Sequence, residues 1–147
     1  MKLYPDLCCF NRPFDDQSQL LVRLQTEAKL AIQESIRNGD HALVWSGILD
    51  LENADNPDSA RKSAIAEWKT LAEIDAATTT AVEQLASTLA GNGLKPMDAL
   101  HIASAIEAGA GYFLTTDKQI LRKMKGDKRI QVLDPVDFIR ETESAEE

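Results

Sequence analysis

Short apolar runs alternating with helical segments predict an α/β fold: a three-layer α/β/α sandwich around a mainly parallel sheet. Three observations carry that prediction. Residues 2–6, 41–45, 112–115 and 130–133 read as strands, with helical stretches between them. Ala99, Leu100, Ile102, Ala103, Ala105, Ile106 and Ala108 cover nearly every side of one helix, the pattern of a helix packed inside a protein. A chain of 147 residues with no break in composition suffices for one full core, which predicts one domain over 1–140 and an acidic, disordered tail over 141–147.

Each element has its own signal. Pro5 lacks a ladder donor and makes the first strand the least regular. A loop follows, and Asp16 with Gln19 forms a capping-box pattern opening a long helix that runs to Gly39, with Leu20, Leu21, Leu24, Ala28, Ala31 and Ile32 as its apolar stripe. After the second strand, Ser46 caps a helix carrying Glu52, and Asn56-Pro57 ends it. Asp58 caps the next, whose stripe is Ala64, Ile65, Trp68, Leu71 and Ala72, and Thr80 with Glu83 opens another. The middle of the chain thus reads as helical. Pro96 suits the first position of the following helix, because its missing N–H would be unpaired there anyway, and Gly109 suits its end. Asp98 lies in its first turn. Residues 118–125 form a short helix, and Asp134-Pro135 begins a last helical turn.

Composition narrows the function. Charged residues at 27% and hydrophobic ones at 44% are ordinary globular values. No apolar run reaches a bilayer-spanning length, and Pro5 and Asp6 come too early for a signal peptide, so a soluble cytoplasmic protein with no membrane partner is expected. Cys8 and Cys9 are adjacent, which suits neither a disulfide framework nor a spaced zinc site, and they read as small packed hydrophobes. A formal charge of −8 argues against nucleic-acid binding by the molecule as a whole. Its distribution argues otherwise: Glu141, Glu143, Glu146 and Glu147 with four clustered acids account for all of it. Lys118, Arg122, Lys123, Lys125, Lys128 and Arg129 remain as a local basic patch.

Ligands of parallel sheets sit at the carboxyl ends of strands, beside the point where strand order reverses. Asp6 closes the first strand and Asp117 follows the strand at 112–115, so both fall on one edge, while Glu52 and Asp98 stand on helices that follow loops. Carboxylates brought that close raise one another's pKa, and a divalent cation resolves the conflict. Oxygen-rich sites suit Mg²⁺ or Mn²⁺, and such ions promote hydrolysis of phosphodiesters. Taken singly, each acid also has an ordinary surface or capping explanation; Asp98 would cap its own helix.

Asp-x-Cys-Cys-x-Asn-Arg-Pro-Phe-Asp-Asp-Gln near the start, Ser-x-x-x-x-x-Glu in the middle, Gly-Leu-Lys-Pro-Met-Asp-Ala-Leu-His-Ile-Ala-Ser-Ala and Tyr-Phe-Leu-Thr-Thr-Asp follow in this order. Together they resemble the PIN-domain family over about residues 1–138. The resemblance implies a compact α/β/α domain that cuts RNA with Mg²⁺ or Mn²⁺ held by Asp6, Glu52, Asp98 and Asp117. It also implies a VapC-like toxin of a type II toxin–antitoxin pair, homodimeric and silenced by a cognate antitoxin. Asn11 and Thr116 are candidates to position water or a ligand carboxylate, and Arg12, Lys118 and Arg122 to hold substrate phosphates. His101 reads as a hydrogen-bonded core histidine, and Trp45 and Trp68 as packing residues.

Two positions depart from the family pattern. Pro5 stands before the first acid where an aliphatic residue is usual, and Leu7 after it where a hydroxyl is common. A catalytically weak or inactive PIN-fold binding module is therefore the alternative. A phosphoacceptor receiver-like domain fits less well, since it needs an acid pair ending the first strand and a lysine ending the last.

Overall fold

The computed structural model describes residues 1–146. Five strands, β1 (Lys2–Pro5), β2 (Ala42–Ser46), β3 (Ala72–Ala76), β4 (Tyr112–Leu114) and β5 (Gln131–Leu133), form one sheet in the order β3-β2-β1-β4-β5. Every neighbouring pair is parallel. The helices are α1 (Leu7–Asn11), α2 (Leu20–Arg37), α3 (Gly47–Ala54), α4 (Ser59–Glu67), α5 (Thr80–Gly91), α6 (Pro96–Glu107), α7 (Lys118–Lys123) and α8 (Pro135–Glu146).

Successive strand residues face opposite sides of a sheet. Leu3 and Tyr4 on β1 are both fully buried, as are Val44 and Trp45 on β2, so helices cover both faces. Tyr4 meets His101 of α6 on one face. On the other, Trp45 packs against Phe10 of α1 with ring centroids 5.4 Å apart, and Phe10 lies under Lys29 of α2. This is the expected three-layer sandwich.

Strand order runs outward from β1 in both directions, which puts its reversal between β1 and β4. Pro5 is tolerated because it ends its strand. Its register partner is Leu114 of β4, whereas the pairing of β1 with β2 covers Lys2 and Leu3. No donor is missed.

Several local expectations need correction. The segment 72–76 forms edge strand β3 and not the end of a helical stripe; its alternating partial burial is that of a strand paired on one side. The expected loop after Asp6 contains α1 and a 3-10 turn over Arg12–Phe14. Gln17 bonds the carbonyls of Arg12 and Asp15, which holds the chain in that turn until Gln19 caps α2 without a side-chain bond. Asp16 accepts from Ser18 N instead of capping the helix. Thr79, not Thr80, caps α5, accepting from Val82 N at 3.2 Å. α8 continues through Glu146 where one helical turn was expected, and Glu147 lies outside the described residues.

α2 is also turned differently from its apolar stripe. Gln25, Thr26, Lys29, Ile32, Gln33 and Ile36 face inward, while Leu20, Leu21 and Leu24 are exposed at 63%, 51% and 48%. The first turns of α2 overhang a groove beside α7 and α8, lined by Leu21, Leu24, Leu121 and Val136, and do not reach the core. Lys29 goes inside instead. Its Nζ sits 4.3 Å from the Phe10 ring centroid and 5.2 Å from that of Trp68. With the Gln33 amide turned so that its oxygen accepts from both, Lys29 Nζ lies 2.6 Å and Trp68 Nε1 3.0 Å from that oxygen.

Burial pulls the Lys29 pKa down to about 7; Arg37 lowers it further and Cys9 opposes the shift. Between about 7 and the ordinary lysine value the unfolded chain therefore binds more protons, and stability climbs with pH. Lys29→Met removes that slope. The variant should be more stable than wild type by about 1–4 kcal/mol below pH 7, with the gain shrinking as pH rises toward 10. Urea unfolding at pH 6, 8 and 9.5 measures it; a pH-independent difference would contradict the account.

Candidate functional site

β1 and β4 remain paired right up to the reversal of strand order, where Asp6 N donates to Leu114 O at 2.8 Å. Asp6 then caps α1, its Oδ1 accepting from Leu7 N at 2.8 Å. Its Oδ2 accepts from the Thr115 hydroxyl at 3.1 Å and lies 3.6 Å from the Cys8 thiol. Thr115 Oγ1 also accepts from Asp117 N at 3.1 Å. One buried hydroxyl therefore ties the strand-end acid of β1 to the backbone of the acid following β4.

The other three acids arrive from helices. Ser46 ends β2 and caps α3, which carries Glu52 in its second turn. Asp117 caps α7, its Oδ1 accepting from Gln119 N at 2.8 Å and Ile120 N at 3.2 Å. Asp98 stands in the first turn of α6, whose cap position is Lys95, with no side-chain bond. Its carboxylate is not what caps that helix.

Asp6 and Asp98 both feel the charges of other acids. Burial raises the Asp6 pKa, with the charge of Glu52 adding to the effect and His101, Leu7 N–H and Thr115 opposing it. Burial likewise raises Asp98, followed by the charges of Asp6 and Asp117 and, more weakly, Glu52. The charge of Glu52 thus disfavours ionisation of Asp6, and the charges of Asp6, Asp117 and Glu52 disfavour ionisation of Asp98. Of the sequence-predicted quartet, Asp6 and Glu52 come together in one donor cluster, while Asp98 and Asp117 lie outside it and Asp98 senses the other three through their charge.

His101 also belongs to the cluster. As expected it is fully buried and hydrogen-bonded, with Nδ1 2.7 Å from the Tyr4 hydroxyl, which lies 2.6 Å from Ser46 Oγ. Its Nε2, however, faces the acids, 3.4 Å from Glu52 Oε1. One donor atom each from Asp6, Glu52 and His101 fall within 4.8 Å of one another. The signal was present in the sequence: His101 lies three positions after Asp98, which puts both on one helix face. Tyr4 and Thr115 were not singled out, because nothing local marks a strand tyrosine or the first of two threonines.

The supporting candidates fare unevenly. Thr116 does not reach an acid; its hydroxyl accepts from Arg12 Nη2 at 3.0 Å, and the carboxylate contact belongs to Thr115. Arg12 also pairs with Asp15 at 3.1 Å. Asn11 accepts from Asn56 at 3.4 Å, a contact between chain segments and not with the acids. Lys118 and Arg122 are exposed on α7 beside Asp117. Leu7 is buried in the core, and the thiol of Cys8 and the hydroxyl of Thr115 line the position beside Asp6. Cys9 is packed as expected, its thiol donating to Leu114 O at 3.3 Å.

Among solved structures, VapBC2 from Rickettsia felis bound to a promoter DNA fragment is similar, with TM-score 0.56 and 12% identity over 90% of this chain and 97% of that one. DNA-bound VapBC from Salmonella typhimurium gives 0.54 and 16%, over 92% and 98%. Identities this low establish likeness of fold. None of the curated proteins matches in sequence. The PIN domain model matches residues 28–126, a span that holds Glu52, Asp98 and Asp117 and begins after Asp6. With most of its length matched, the chain belongs to the PIN-domain family.

Proposed function

We propose that this chain is a metal-dependent endoribonuclease that hydrolyses RNA phosphodiester bonds, the toxin of a type II toxin–antitoxin pair. The observation that carries the reading is the convergence of Asp6 and Glu52 donor atoms with His101 within 4.8 Å at the β1/β4 reversal, with Asp98 sensing the charges of Asp6, Asp117 and Glu52. PIN domains are generally nucleases, which agrees with it.

The donor set fits a divalent ion such as Mg²⁺ or Mn²⁺. Carboxylate oxygens converge beside a buried ring nitrogen that has no hydrogen-bond partner among the described residues. Asp6, Glu52, Asp98 and Asp117 would hold the ion. When bound, it supplies positive charge beside the scissile phosphate and makes water a stronger nucleophile there. The protein does the positioning: Leu7 N–H and Thr115 fix the two oxygens of Asp6, and the first turn of α7 fixes Asp117. Lys118, Arg122, Lys125 and Lys128 are exposed and make no ion pair among the described residues, which leaves them for RNA phosphates. Arg129 and Lys123 are engaged within the chain, with Asp127 and Gly93 O respectively.

An antitoxin partner accounts for the exposed Leu20, Leu21 and Leu24 and the apolar groove that α2 shares with α7 and α8. The same reading takes the chain as a cytoplasmic homodimer. No helix among the described residues is long and apolar enough to cross a membrane.

Cleavage of a labelled single-stranded RNA panel with Mg²⁺, Mn²⁺ or EDTA tests the catalytic claim. Wild type should cut only with metal, and Asp98→Asn should lose about 10²-fold or more. If folded wild type cuts nothing with either ion, the chain is a PIN-fold binding module. Stability gives an independent check. Because the Asp98 pKa is raised, its ionised form costs stability once pH exceeds the ordinary aspartate value and at all higher pH. In EDTA at pH 7, Asp98→Asn should therefore be more stable than wild type by roughly 0.5 kcal/mol after solvent screening. Thermal unfolding should show that gain vanish as pH falls toward 4.

A further inference from the structure

His101 is closed off from solvent, yet one ring nitrogen has no hydrogen-bond partner among the described residues. Buried polar atoms are rarely left so, and an orphan at a cluster of donors points to a missing ligand. Nδ1 is accounted for. The Tyr4 hydroxyl can give its proton to Ser46 Oγ at 2.6 Å and accept from Nδ1–H at 2.7 Å, which leaves Nε2 with a free lone pair. That nitrogen lies among the carboxylates, with donor atoms of Asp6, Glu52 and His101 all within 4.8 Å of one another. Glu52 Oε1 lies 3.4 Å away, a contact that is an ion pair only when the ring is protonated and that makes no hydrogen bond here. The separation instead suits two ligands of one first-row ion, which stand about 3.0–3.4 Å apart.

We infer that His101 Nε2 is a nitrogen ligand of the cation held by Asp6 and Glu52, so that this centre prefers Mn²⁺, Co²⁺ or Zn²⁺ to Mg²⁺. The inference rests on reading the acid pocket as a cation site and adds its donor chemistry. Mg²⁺ takes oxygen ligands and keeps its waters, whereas imidazole favours later ions. Tyr4 has the part that an outer partner of a ligating histidine has: it fixes the tautomer and the ring orientation.

The test uses the full chain with Mn²⁺ and pulsed electron paramagnetic resonance, which detects nitrogen bonded to the ion without relying on catalysis. Wild type should show ¹⁴N modulation that changes to the ¹⁵N pattern when histidine is ¹⁵N-labelled, and His41→Gln should keep it. In calorimetry, wild type should bind Mn²⁺ at least tenfold more tightly than Mg²⁺. Tyr4→Phe should weaken Mn²⁺ by about 10–100-fold and Mg²⁺ much less. Bound Mn²⁺ without nitrogen modulation, or equal weakening of both ions in Tyr4→Phe, overturns the ligand role while leaving an all-oxygen site standing. No binding of Mn²⁺ at all overturns both readings.

Discussion

The pairing of β1 with β4 across the reversal of strand order is the constraint on which the rest of the site depends. Parallel pairing puts the ends of the two strands at one edge, and Asp6 N to Leu114 O carries it to the last residue before the acid. The Thr115 hydroxyl then holds the Asp6 carboxylate and the Asp117 backbone at once. α3 and α6 need only reach that edge. Glu52 does so from the second turn after β2, and Asp98 from the first turn of a helix buried along nearly its whole circumference.

The same crowding sets stability against function. Asp6 and Asp98 both have pKa values raised by burial and by neighbouring acids, so the edge holds charge repulsion. The opposite face holds another costly charge. Lys29 is enclosed by Phe10, Trp68 and the Gln33 amide, and its partners among the described residues are rings and a neutral oxygen. Stability gained elsewhere offsets these costs: Leu3, Leu43, Ile102 and Phe113 are fully buried in the apolar core.

Legibility followed how local each signal was. Helix starts marked by Ser46 and Asp58 are short-range hydrogen bonds, and they appear where the residues indicated. The parallel sheet was legible because its central strands are continuous apolar runs. β3 was missed because an edge strand paired on one side carries little apolar character, and Ala72 continued a helical stripe equally well. The inward face of α2 was misjudged for a related reason. Hydrophobic periodicity states which residues want burial, not where the core ends, and Leu20, Leu21 and Leu24 fall beyond it.

By itself the sequence determined an α/β domain with four acids placed near strand ends and helix starts, since periodicity, caps and turn residues act over a few positions. Only the tertiary structure decided which groups meet. Thr115 instead of Thr116 reaches Asp6, because the backbone after β4 turns the first hydroxyl inward and leaves the second to Arg12. Tyr4 and Ser46 orient His101 so that its free nitrogen faces the acids, across sequence separations of 97 and 42 residues. Contacts at such range depend on how strands and helices pack, and no local pattern in the chain encodes that.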